Sequence, residues 1–382
     1  MIPYIKYHIT NWVDGMKLHR QHFVDSENAL LDAVRDANSL ARTPFSFGLL
    51  PPGPGDKRAL EVKVLRAQSS DFKISVSLCR AVTAGGVRIE ILPQHNLEVH
   101  CEDRIDSVVL STGSGRPEVF MAVLTANPFN RQPAGDPDPS ELPPRNPFAR
   151  PQYSLHLIAE EDIAVQDFGA YHIPVARFER RGEEVVLDNH YIPPCASIKA
   201  HPGMVQHYNS LGALFSSIQE FSTSIVQKIV AKTQNTPLAQ NVRKLCQAST
   251  FFIGSVFFAY RNIWPHQSPV YIAEGAAQLA NWLKAELDFM PEKEKEEMLQ
   301  YFKEWNEITP SAFEVMLANA MELQYDHFNI QSSFEPVLLF LGRWKELLEK
   351  LNELELIGRR KEKDFILREQ AQQKKKGFSL LD

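Results

Sequence analysis

At 382 residues, 44% hydrophobic and 23% charged, the chain has a globular composition with room for two cores and a tail. That balance excludes a disordered chain, and a formal net charge of −6 argues against the basic face of a nucleic-acid binder. Cys79, Cys101, Cys195 and Cys246 are widely spaced without a CxxC pair, which gives neither a disulfide framework nor a zinc pattern.

The first residues lack the basic start and apolar run of a secretory leader. The longest apolar run, 251–260, is broken by Gly254 and falls short of the roughly 18–20 residues that cross a bilayer. A soluble protein that stays inside the cell is expected. Next comes Asn11-Trp12-Val13-Asp14-Gly15-Met16-Lys17-Leu18-His19-Arg20-Gln21-His22-Phe23. Gly15 supplies a turn, and a helix is expected from about residue 18 to about 40 that offers Phe23, Leu30 and Leu31 for packing. His19 and His22, three apart, share a helical face with His8 upstream, but no carboxylate or thiol stands at ligand spacing. Packing rather than metal binding is the reading.

Between about 45 and 187 the apolar runs are short and punctuated by turns: 60–65, 72–79, 87–92, 108–110, 119–124, 153–158 and 171–178. Several alternate, as in Lys73-Ile74-Ser75-Val76-Ser77-Leu78, the period of a half-buried strand. No helix-length periodicity separates them, so an antiparallel β-sandwich or barrel is expected. One insertion, 127–152, is dense in proline and opens and closes on Asn127-Pro128-Phe129 and Asn146-Pro147-Phe148. Because proline cannot donate to a ladder, it reads as a long loop or projecting arm rather than strand.

From about 204 the pattern changes to helices. Leu211, Leu214, Phe215, Ile218, Phe221 and Ile225 form one stripe, and further helices read across 238–260, 269–289, 292–307, 310–324 and 332–356. Leu341, Trp344, Leu348 and Leu351 stand at heptad-like spacing, and Leu341, Trp344 and Leu348 are taken as the packing face between copies. The last stretch is a charged tail ending on Lys374, Lys375 and Lys376 ahead of Phe378, Leu380 and Leu381. The expected fold is α+β: a β-sandwich domain over 1–199 with an N-terminal helix, a helical bundle over 200–356 and a tail over 357–382.

Catalytic patterns are sparse. The pairs Gly113-Ser114-Gly115 and Gly53-Pro54-Gly55 lack the strand, spacing and helix of a phosphate cradle. No GxSxG elbow occurs, and Asp103/Asp106 and Glu160/Glu161 read as solvated loop carboxylates. The chain is therefore read as a non-enzyme with no cofactor, no metal and no small-molecule substrate.

The 11–23 string resembles the opening of the TssK family of type VI secretion baseplate proteins, W-x-[ED]-G-M-x-L-x-P-Q-H-F. Trp12, Gly15, Met16, Leu18, Gln21, His22 and Phe23 match together with Asp14, while Arg20 stands where the family has proline. Asp188-Asn189-His190-Tyr191-Ile192-Pro193-Pro194-Cys195 is similar to the segment closing that family's β-domain, so Tyr191, Pro193 and Pro194 join the motif residues. Pro265 to Tyr271, Ala277 to Ala280, and Tyr325-Asp326-His327-Phe328 resemble two further steps in the helices. The resemblance implies a homotrimeric structural adaptor, cytoplasmic and docked at the inner face of the inner membrane. It implies TssF/TssG-like wedge partners on the shoulder and inner-membrane complex proteins at a C-terminal head. Only about 26 residues follow Leu356, too few for a folded head, so the sequence departs from the family there. A phage-type tail baseplate or receptor-binding protein is the alternative.

Overall fold

The structure, a computed structural model, describes residues 5–66, 72–95, 97–101, 118–162, 168–181 and 184–359. The strand expected at 108–110, the pair Asp103/Asp106, Gly113-Ser114-Gly115 and the tail beyond 359 lie outside these residues. The chain divides into two compact units. The first holds Met1–Val205 with His266–Pro269 and His327–Gln331, and the second holds the rest of the helical half.

Unit 1 opens on an extended segment and helix α1 (Arg20–Ser39), then builds two antiparallel sheets. In the first sheet β3 (Phe72–Val82) is the centre, flanked by β1 (Gly48–Leu49), β2 (Leu60–Arg66), β4 (Arg88–Ile91) and β5 (Val99–His100). β3 corrects the half-buried expectation: Ile74, Val76 and Leu78 are buried, but so are the intervening Ser75 and Ser77, so this central strand is covered on both faces. The second sheet has the order β7 (Phe148–Ala159), β6 (Glu118–Ala134), β8 (His172–Arg181), β9 (Glu184–Leu187). Phe120 and Phe178 stack in its core with ring centroids 5.7 Å apart, and Cys101 bridges to Leu155 between the sheets.

The proline-dense insertion corrects the expectation of a loop. β6 and β7 stay paired from Phe120↔Ala159 out to Ala134↔Phe148, and only 135–147 connects them. A register shift between Asn127 and Arg131 takes up Pro128. β8 leaves β6 after Thr125, so beyond that point the ribbon has two strands and each has a free edge. Pro133 and Pro151 are tolerated there because an edge strand can turn its missing donor outward.

Unit 2 contains α2 (Pro202–Ala231) from Gln206 onward, α3 (Pro237–Asn262), α4 (Val270–Asp288), α5 (Glu292–Asn306), α6 (Pro310–Met321) and most of α7 (Ile330–Glu353). Two helices begin on Thr-Pro pairs. Thr236 caps α3 by accepting from the Ala239 N–H, Thr309 caps α6 in the same way, and proline fills the first helical position of each. Leu341, Trp344 and Leu348 are a correction: they are buried inside unit 2 of a single chain and offer no face to another copy. The Trp344 ring lies 5.8 Å from Phe302 and 6.3 Å from Phe313, and its Nε1 donates to Ser249 Oγ at 3.2 Å. Heptad-like spacing marks an apolar stripe, and here the neighbouring helices of the same chain cover it.

Candidate partner interface

The 12–23 motif folds as a strap along α1. His19 closes the helix start: its N–H donates to His22 Nδ1 at 3.3 Å. Thr10 Oγ1 donates to the His22 carbonyl at 3.0 Å, and Gln21 Nε2 donates to Asp25. Trp12 packs edge-on against His22 and obliquely against Phe23, with centroids 6.2 and 6.0 Å away. The motif residues Trp12, His22 and Phe23 are thus brought together, Met16 is half-buried and Leu18 is exposed.

The helix is inside-out relative to the expectation. Phe23, Leu30 and Leu31 are exposed, Leu30 at 61%, along with Val34, while Asn28, Ala29 and Asp32 are buried. The inward polar side chains find partners in the fold. Asp32 accepts the backbone N–H groups of Lys6 and Tyr7 at 3.1 Å each and pairs with Arg35 at 2.7 Å. Arg131, from the β6–β7 arm, donates to Asn28 Oδ1 at 2.7 Å and pairs with Glu27. With those charges satisfied, the apolar stripe of α1 is left facing outward, a surface that monomers rarely expose.

The arm root is held by Phe129, whose ring lies 4.4 Å from Tyr7 and 6.1 Å from Tyr171. Lys6 Nζ sits 5.4 Å above the Tyr7 ring and 5.9 Å from Phe129. The strap, α1 and the arm each leave large apolar side chains exposed on unit 1, among them Trp12, Leu30 and Phe148.

The second motif is structural. Tyr191, Pro193 and Pro194 are buried, and Tyr191 packs with Met121 and Val123. Leu49 of β1 donates to the Pro194 carbonyl at 2.7 Å and accepts from the Ala196 N–H at 2.9 Å. The segment therefore meets β1 through a single parallel bridge, Leu49↔Cys195, and burial pushes the Cys195 thiol up. His327, from the third resemblance, is buried: its Nε2 donates to the Phe47 carbonyl at 2.9 Å, with the rings 4.7 Å apart.

On unit 2 the sequence reading missed a set of exposed aromatics: Phe251 and Phe258 on α3, and Tyr271 and Trp282 on α4. The signal was present, since Phe251, Gly254 and Phe258 recur opposite the buried Leu245, Ser249 and Phe252. Among the described residues no group of three or more His, Cys, Asp or Glu is placed to hold a metal ion. No helix among them is long and apolar enough to cross a membrane.

Among solved structures, a crystal structure of TssK is similar at 18% identity and TM-score 0.53, over 88% of this chain and 69% of that one. The TssK fold is the fold of this chain. A chain of the TssK-TssF-TssG baseplate subcomplex, seen by cryo-electron microscopy, shares this TssK-like fold at 16% identity and TM-score 0.53. There the overlap covers 90% of this chain and 99% of that one. TssK from T6SS EAEC, bound to nanobody nb18, is similar at 20% identity and TM-score 0.51, over 85% and 68%. A family model described as "Bacterial Type VI secretion, VC_A0110, EvfL, ImpJ, VasE" matches residues 142–243, from the arm tip through the junction into α3. No curated protein matches the chain.

Proposed function

We propose that the chain is a structural baseplate subunit of a bacterial type VI secretion system, working through its surfaces rather than through a reaction centre. The observation that carries this is the fold likeness spanning 90% of this chain and 99% of a chain in the TssK-TssF-TssG subcomplex. The outward apolar stripe of α1 supports it, because an exposed stripe of that kind marks a surface for a partner. In this reading 1–199 is the shoulder, 200–356 the neck and 357–382 the contact with inner-membrane complex proteins. The strap and the start of α1, with Trp12, Leu18 and Phe23 exposed, are the face for TssF/TssG-like wedge proteins on the cytoplasmic side of the inner membrane.

The same reading makes the chain a homotrimer, with the self-association face moved from the buried Leu341, Trp344 and Leu348 to the exposed aromatics of α3 and α4. Phe258 is 69% exposed and Phe251 is similar, a concentration of large rings that ordinary surfaces avoid. Deleting the gene in a strain with an active secretion system tests the function. Loss of sheath assembly and effector release, restored by the wild-type gene, is expected; normal secretion by the deletion strain overturns the reading.

A further inference from the structure

Beside the strap, unit 1 carries a groove of about 300 Å³ between the C-terminal half of α1 and the root of the arm. Leu31 and Val34 of α1 line it together with Phe129 and Tyr171, and Arg42 joins them, lying against Gly86. Much of the lining is apolar, and Arg35, Asn38 and Arg88 add polar atoms beside the cationic Arg42. Arg42 Nη1 donates to the Ala84 carbonyl at 3.3 Å, and among the described residues no carboxylate forms an ion pair with it. Its neighbours differ: Arg35 is paired with Asp32 and Asp36, and Arg88 with Glu90.

The arm tip has the opposite chemistry. Residues 135–147 contain Asp136, Asp138, Glu141 and Arg145, three carboxylates against one guanidinium for a net charge of −2. Glu141 and Arg145 pair at 2.7 Å, and the Ser140 hydroxyl and N–H hold the Asp138 carboxyl below its usual range. Between the acids stands Leu142-Pro143-Pro144, with Leu142 98% exposed. The tip is held from the groove of its own chain. Its ladder runs to Ala134↔Phe148, and it faces Arg20 and Phe23 across a wide cleft at the other end of α1. From Phe23 to Leu31 the helix alone spans about 12 Å.

We propose that the groove receives the arm tip of a second copy of this chain, with Leu142 and its prolines on Leu31, Val34 and Phe129 and an aspartate of the tip on Arg42. Tip and groove are different surfaces, so the contact is head-to-tail and closes as a ring when each copy uses both. This rests on the self-association proposed above and adds a contact on unit 1 to the face on α3 and α4.

The full-length chain carrying Val34→Cys and Leu142→Cys, mildly oxidised near neutral pH, tests it. Native Cys79 and Cys246 are buried with thiols pushed up to about 12, and Cys195 is buried as well, so the single variants control chiefly for Cys101. A disulfide ladder ending at the covalent trimer is expected for the double variant only, and lost when Arg42→Glu is added. A trimer mass by light scattering without the ladder overturns the proposal and leaves the trimer standing. A monomer mass overturns both. A disulfide closed within one chain, or a ladder indifferent to Arg42→Glu, overturns the assigned contact.

Discussion

Gly48 holds φ +114 where β1 meets the proline segment, and a Cβ there would collide with the Pro194 backbone. Gly48→Ala therefore carries backbone strain of about 1–3 kcal/mol together with a clash that no side-chain rotation relieves. A clearly lowered melting temperature is expected, measured by calorimetry, with Gly55→Ala, at a turn with open space, as the milder comparison. His201 sets a pH dependence. Burial and then the nearby Arg58 charge pull it from the ordinary 6.5 down to about 4, and its Nδ1 accepts the Gly203 N–H as only a neutral ring can. Between about pH 4 and 6.5 the unfolded chain binds the proton that the folded chain refuses, so this contribution to stability is full above 6.5 and falls as pH drops toward 4. Melting temperatures across that window should show the slope in the wild type and a shallower one in His201→Gln. The sequence displayed the Tyr191 to Cys195 motif, but not its pairing with β1, because a two-residue strand has no period to read.

At the scale of elements, apolar spacing revealed the helices and the strands, and it left open which side faces in. For α1 the answer depends on Lys6, Tyr7 and an arginine about a hundred residues away, none of which a local pattern contains. For α7 the same spacing was assigned to a partner, whereas Phe302, Phe313 and Ser249 of the same chain fill the role. The two tryptophans should accordingly behave oppositely. Trp344→Ala removes a buried ring and is expected to cost about 3–5 kcal/mol in denaturant unfolding. Trp12 is 51% exposed, and Trp12→Ala should change stability by under about 1 kcal/mol while weakening wedge binding. An equal loss of stability in both variants would make Trp12 an anchor of the fold rather than an interface residue. The arm was legible as an insertion by its prolines, but its strand pairing was not, since an edge ribbon accepts residues that a central strand rejects.

Taken as a whole molecule, the chain joins a β-rich unit to a helical unit in the order that its sequence patterning implied, and its fold is TssK-like along most of its length. What that patterning leaves open is which surface meets which partner. Exposed rings on α3 and α4, the outward stripe of α1 and the acidic arm tip are the surfaces that the proposed function assigns to other chains. The most direct measurement is the native mass of the full chain mixed with the TssF- and TssG-type proteins of the same secretion machine. A stable complex containing all three, weakened by Trp12→Ala and Phe23→Ala without loss of fold, is the predicted result. A chain that remains separate from both proteins at micromolar concentration would contradict the place in the baseplate proposed for it.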